Sequence, residues 1–466
     1  MKQLVVLALC AAVVWTFLKL FPSNGDEVVN AGQGGFEEAT YGDRGLAGGS
    51  APREQQQQPG PAQDAAQGES GDHAGASSSL FAPREDGSAG DNPFGFKPSE
   101  SAASRLEPLR VRLTESLVYG RNDRARTDSR NGRASLPEGV GETVTAFVDA
   151  LEGRKDAARK QAGDLESAGL LSDHSREVLL AALGQGELPS PGLEALGDLT
   201  AEEFGMQIAL WREAARLAAQ QRRYRDAATY WTFVFRGVLD SEIGFEPGSF
   251  EAWMEELRVV QKSHRWNPNG DWPGFELSVQ PGESLIAVRK RALAEREDLV
   301  LCTGLIQHVN NRKSTILHEG EKLRIPTDPV NVLVDLQGRW LLYMHGDEVV
   351  DGWQVGIGRP GQETITGQFW VGNKQENPTH FVRGKEPVPF GTEDNPLGTR
   401  WMGWRRSLEA KEDSSYGFHG TWEEHSIGAA LGEGCIRMMN ERVEFLFEVL
   451  PQQARLEVRE GSVQSS

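Results

Sequence analysis

"VNVLVDLQGRWLLYMHGDEVVDGWQVGIG", Val330–Gly358, decides the fold of the C-terminal part of the chain. Apolar residues recur at alternate positions, and the runs break at Gln337–Gly338 and at His345–Gly346–Asp347. A period of two is the mark of a strand, and glycine dipeptides between such runs mark turns. "TITGQFWVGNKQENP" (Thr364–Pro378) and "NPLGTRWMGW" (Asn395–Trp404) continue the pattern. Regular short strands predict a β sandwich or barrel, with one helix over Asn440–Val449.

Upstream the pattern changes. "FELSVQPGESLIAVRKRAL" reads as a strand, a Pro281–Gly282 turn and a helix. "DLVLCTGLIQHVNNR" gives a second helix ending at Asn310–Asn311, and "ILHEGEKLRIP" a Glu319–Gly320 turn and a strand. The order is βααβ over 276–327, with Cys302 a small core residue of the second helix. Residues 106–270 are helical. Thr200 and Glu203 form a capping box. Leu210, Ala214, Leu217 and Ala218 share one helical face; Tyr224, Ala228, Trp231 and Phe235 share another. This pair resembles one tetratricopeptide hairpin, but lacks a 34-residue period, so a plain bundle fits as well. Such a domain suits a protein partner.

Residues 1–21, "MKQLVVLALCAAVVWTFLKLF", place Lys2 before an apolar run from Leu4 to Leu18. That length fits a membrane-spanning helix with Lys19 at the interface, or a cleaved signal. The positive charge at Lys2 leaves the bulk of the chain outside the cytoplasm. Residues 22–105 are rich in Gly, Ser, Ala, Gln and Asp, the composition of a disordered linker. A net charge of −19 over 466 residues opposes phosphate binding, so nucleic acid is not an expected partner. There are three cysteines and no CxxC. His419, His425 and Cys435 are one ligand short of a local zinc site, so neither metal nor cofactor is expected.

"HGTWEEHSIGAALGEGCIRM", His419–Met438, carries the candidate chemistry. A thiol nucleophile needs a base, amide groups aimed at a developing oxyanion, and a small neighbour. Gly434 precedes Cys435, and His419 lies near enough in sequence to loop back. Spacing alone leaves open a catalytic pair or a buried cysteine beside a satisfied core histidine.

Two resemblances sharpen this. Val279, Pro281, Gly282, Ser284, Leu285, Asn310, Leu317, Gly320, Leu323, Ile325 and Pro326 resemble a LysM module. The resemblance implies binding of N-acetylglucosamine-containing glycans, loosely at Gly282, Glu283, Ser284, Ile316 and Leu317, with Glu283 where the family has Asp. "HGT", "SIG" and "GCIRM-N", preceded by Asn395–Trp401, resemble the L,D-transpeptidase (YkuD-type) catalytic domain over about 330–460. The implied architecture is multidomain: membrane-spanning helix, disordered linker, all-α region, βααβ LysM module and mostly-β catalytic domain. The implied roles are Cys435 as nucleophile and His419 as its base. Gly434 and Cys435 would supply oxyanion amides, Arg437 would hold substrate or order the loop, and Gly420 and Thr421 would shape the histidine turn. The implied partner is peptidoglycan, its glycan strands and stem peptides, in the cell envelope. The family's reaction makes a thioester at the third stem residue, expels D-alanine, and passes the acyl group to a second stem's amine.

One departure stands out. "LGEGC" has Gly432 where the family usually has Ser or Thr, and Glu433 puts a negative charge beside the thiol, which raises its pKa. Ser426 is a candidate to supply the missing hydroxyl, and His425 reads as an exposed loop residue. The competing functions are a non-catalytic peptidoglycan-binding scaffold with a decayed site, and an L,D-carboxypeptidase using the same pair.

Overall fold

The computed structural model describes residues 108–189, 193–381 and 384–461. The expected anchor over 1–21 and linker over 22–105 lie outside the described residues. Among those described, no helix is long and apolar enough to cross a membrane.

Among the described residues eight α-helices lead: α1 (Pro108–Val118), α2 (Asn122–Asn131), α3 (Val140–Leu151), α4 (Lys155–Ser167), α5 (Asp173–Ala182), α6 (Ala201–Gln220), α7 (Tyr224–Leu239) and α8 (Ser249–Ser263). The capping box is present: Thr200 accepts from the Glu203 amide, and the Glu203 carboxylate accepts from the Thr200 amide. Leu210, Ala214 and Ala218 are buried as expected, but Leu217 is 51% exposed. It lies in the last turn beside Ala218, which is fully buried.

The βααβ order follows as β1 (Gly274–Ser278), α9 (Leu285–Glu295), α10 (Thr303–Val309) and β2 (Lys322–Pro326), with β1 and β2 antiparallel. Asn310 closes the unit: its amide donates to the Ile306 and Arg324 carbonyls, and its oxygen accepts from the Arg324 amide, each at 2.8 Å. Cys302 is not within a helix. It caps α10, accepting from the Leu305 amide at 3.4 Å and donating to the Glu448 carbonyl at 3.1 Å. Apolar spacing could not separate a core position from a cap. Cys302 and Cys435 are both free thiols.

The remaining strands are β3 (Val330–Asp335), β4 (Trp340–His345), β5 (Glu348–Gln354), β6 (Ile357–Gly358), β7 (Gly367–Glu376), β8 (Arg400–Arg405), β9 (Gly417–Thr421), β10 (Ala430–Gly432), β11 (Ile436–Met439) and β12 (Arg455–Arg459). Helix α11 spans Asn440–Val449, as the sequence predicts. The expected sandwich or barrel is replaced by one eight-stranded mixed sheet, ordered β11-β9-β8-β7-β12-β3-β4-β5, with β6 and β10 forming a separate parallel pair. β12 pairs parallel with β3, and β11 with β9. Turn signals announce hairpins, whereas parallel pairing needs crossovers that leave no local mark.

Strands β3 and β4 are buried throughout because both faces are covered. Val332, Val334, Leu341 and Tyr343 join a core that runs into the βααβ unit and α11. Leu333, Trp340, Leu342 and Met344 pack instead against the helical region. Phe250 stacks on Trp340 at 4.0 Å between centroids, worth about 1 kcal/mol beyond area burial. Polar ties accompany this packing: Thr232 accepts from the Val349 amide, Arg258 bonds Asp351, and Arg265 bridges Glu348 and Asp328. The helical region, the βααβ unit and the sheet therefore share continuous cores, and the sheet is held rigid from both sides.

Candidate active site

The site forms at the β11 edge. Cys435 directly precedes β11, so it shares a face with Arg437 two residues on. The register sets Arg437 beside His419 on β9, and His419 beside Trp401 on β8. Adjacent strands are about 4.8 Å apart, so thiol, guanidinium, imidazole and indole crowd one patch of the sheet. Cys435, His419, Arg437 and Trp401 line one cleft of about 610 Å³. Its other wall is the segment before β8, including His380, Phe381 and Asp394.

His419 is buried, and its Nδ1–H donates to the Gly420 carbonyl at 2.6 Å. That bond fixes the tautomer and leaves Nε2 as the basic nitrogen. Trp401 stacks on the ring at 6.1 Å and 23°. Burial lowers the imidazole pKa to about 4; the Gly420 bond opposes this, and the charges of Arg437 and His380 add to it. The half-buried Cys435 donates to the Ser415 carbonyl at 3.6 Å. Burial raises its thiol to about 11; the Gly417 hydrogen bond and Arg437 pull it down, and Glu433 pushes it up. The resting site at neutral pH is thus a neutral thiol beside a neutral imidazole, not an ion pair.

The other expected residues fall as follows. Gly434 has φ +103°, and a Cβ there would lie 2.6 Å from the Tyr416 ring. Only glycine fits both demands. Arg437 pairs with Glu423 at 2.9 Å while still lining the cleft. The Thr421 hydroxyl accepts from the Glu423 amide at 3.0 Å, so it orders the turn after β9. A Cβ at Gly420 would collide with Asn440. Gly432 leaves no room for the family's hydroxyl: a Cβ would lie 2.9 Å from the Ile357 carbonyl. Ser426 does not stand in for it, since its hydroxyl donates to the Glu423 carbonyl at 2.7 Å. Glu433 is exposed and pairs with Arg359 at 3.4 Å while still lining the cleft, and His425 is exposed.

In the βααβ unit, Gly282 is an exposed turn residue with φ +70°. Ser284 caps α9 by accepting from the Ala287 amide. Glu283 accepts from the Gln280 amide and pairs with Arg291 at 2.8 Å. Ile316 is 68% exposed, and Leu317 packs against the core.

Two asparagines escaped the residue-by-residue reading. Asn440 accepts from the Thr399 amide at 3.1 Å and donates to the Thr421 carbonyl at 3.0 Å, tying β9 to the segment entering β8. Buried Asn395 donates to the Pro378 and Val388 carbonyls and accepts from the Leu397 amide, fastening the cleft wall. Their only sequence signal was membership of the quoted motifs.

The model of the L,D-transpeptidase catalytic domain matches residues 329–458. YqjB of Bacillus subtilis, named as an L,D-transpeptidase, is 36% identical over 127 residues, 27% of this chain and 69% of that protein. YkuD of Bacillus licheniformis, named likewise, is 30% identical over 182 residues, 39% of this chain and 96% of that protein. Among solved structures, the catalytic domain of the Enterococcus faecium L,D-transpeptidase is 20% identical, covering 28% of this chain and 98% of that one, with TM-score 0.23. The cleft thus lies in an L,D-transpeptidase catalytic domain. The chain belongs to the YkuD-type L,D-transpeptidase family and is an L,D-transpeptidase.

Proposed function

We propose that the chain acts on peptidoglycan stem peptides in the cell envelope, with Cys435 as nucleophile and His419 as its base. The observation that carries this is the shared cleft. The thiol sits immediately before β11 and the imidazole on the neighbouring strand β9, with the imidazole tautomer fixed so that Nε2 is basic. Nε2 takes the thiol proton as sulfur attacks the carbonyl of the third stem residue. The Gly434 and Cys435 amides hold the oxyanion. Collapse breaks the peptide bond, and His419 returns the proton to the departing D-alanine amine. The resulting thioester is open to an acceptor amine. Arg437 supports charge on sulfur during attack and holds the Glu423 turn. The βααβ order and the closure by Asn310 fit a LysM-type module that binds glycan strands near Gly282–Ser284 and Ile316. The apolar sequence of residues 1–21 fits an envelope anchor, and the helical region suits a protein partner.

The test is incubation with a tetrapeptide stem, following D-alanine release and cross-linked dimers by mass spectrometry. Wild type should yield both products, and Cys435→Ala and His419→Ala neither. D-alanine release without dimers would instead indicate a carboxypeptidase.

A further inference from the structure

The acylation step puts a positive charge where the site is least able to hold one. The thiol S–H bond breaks, sulfur bonds to the acyl carbon, and the proton on Nε2 turns the His419 ring into an imidazolium. That ring is only 5% exposed. Burial brings its pKa down to about 4, and the charges of Arg437 and His380 act in the same direction. Among the described residues no carboxylate bonds the ring. Asp394 lies on the opposite wall of the cleft, and Glu433 pairs with Arg359. The Nδ1–H goes to the Gly420 carbonyl, a neutral acceptor.

What faces the ring is an aromatic plane. Trp401 on β8 is the cross-strand partner of His419. Its indole stacks on the imidazole at 6.1 Å between centroids and 23° between planes. Gly417 lies two residues before His419 and so on the same face of β9. It leaves room for the indole, because a Cβ there would lie 2.8 Å from Cζ2 and Cη2 of Trp401. The indole is thus laid along β9 from Gly417 to His419, and it lines the cleft beside the imidazole. An indole face attracts a cation within about 6 Å of its centroid, more strongly where water is excluded.

We propose that Trp401 is a positioning residue that acts through His419, its indole face stabilising the imidazolium while the thiol proton resides on Nε2. This role rests on the acyl-transfer reading above. The attraction is absent from the resting neutral pair and appears as the proton moves. It is lost when the proton passes to the departing amine. It therefore lowers the barrier without stabilising the resting site.

The experiment uses the full chain with Trp401 replaced site-specifically by mono-, di- and tetrafluorotryptophan. Fluorine withdraws electron density from the indole face and leaves the shape of the ring nearly unchanged. Two rates are read at Cys435 on each protein. Acylation by a tetrapeptide stem at pH 7, followed by intact mass, passes through the imidazolium. Alkylation by iodoacetamide at pH 10 does not, because hydroxide forms the thiolate and the imidazole stays neutral. Acylation should fall stepwise with fluorination, about threefold by the tetrafluoro protein, and about tenfold in Trp401→Leu. Trp401→Phe, which keeps a weaker aromatic face, should recover part of the Trp401→Leu loss. Alkylation should stay within about 1.5-fold across the fluorinated series. Acylation that is equally indifferent to fluorination, or that falls only in step with alkylation, overturns the role of the indole face alone. A wild-type protein that is alkylated at Cys435 but never acylated overturns the acyl-transfer reading beneath it.

Discussion

The resting protonation of the site makes a prediction that separates it from thiol enzymes built on a preformed ion pair. Alkylation by iodoacetamide reports the thiolate fraction. With the Cys435 thiol at about 11, pH 7 lies four units below it, so about one molecule in ten thousand carries the thiolate. The rate of Cys435 alkylation should therefore rise about tenfold per pH unit from pH 6 to pH 10, with no plateau. His419, near 4, is already neutral across that range and contributes no inflection. Arg437→Gln should slow alkylation further, because it removes a positive charge that lowers the thiol pKa. The assay is quenched-flow labelling with peptide mapping, which separates Cys435 from the capping Cys302; Cys435→Ala is the blank. A plateau between pH 5 and pH 8 would mean a resting thiolate–imidazolium pair and would refute the reasoning.

Asn440→Ala leaves the Thr399 amide and the Thr421 carbonyl without their partner and should cost about 2–4 kcal/mol, read from urea unfolding. A loss under about 0.5 kcal/mol would show that water replaces the clamp. Gly432→Ser restores the family's usual hydroxyl but drives a Cβ against the Ile357 carbonyl; it should cost about 1–3 kcal/mol and slow acylation. Faster acylation in that variant would count against the account. Acid should destabilise the fold. The folded-state pKa values of buried His419 and His345, about 4 and about 3, lie below their unfolded value, so protons bind the unfolded chain more tightly. Their stabilisation is complete above pH 6.5 and is lost as pH falls toward those values, by about 3 kcal/mol at pH 4 for His419 alone. A urea midpoint unchanged between pH 7 and pH 4.5 would contradict it.

The parts of the molecule that announce themselves locally were legible. The strands from Val330 to Gln354 declare their period and turns, the α11 limits follow from its flanks, and the Thr200–Glu203 cap is visible as a pair. His419 and Cys435 could be paired because their motifs are short and residue-specific. Properties set by distant chain were not legible. The full burial of β3 and β4 depends on Phe250, Trp231 and their neighbours covering the second face, which no strand pattern reveals. The parallel β11–β9 register, which sets Arg437 beside His419, is a crossover relation. Gly432 looked like a lost hydroxyl. In the fold it is a steric demand of the Ile357 carbonyl. Glu433 read as a liability to the thiol, and in the fold its charge does push the thiol pKa up; only its pairing with Arg359 was not visible from its position in the motif.

The most direct test of the central claim is intact-mass spectrometry of the full chain after incubation with a carbapenem, with the adduct localised by peptide mapping. The account predicts one covalent adduct on Cys435, abolished in Cys435→Ala, with Cys302 unmodified. A folded protein that forms no adduct, or one whose adduct persists in Cys435→Ala, would contradict it.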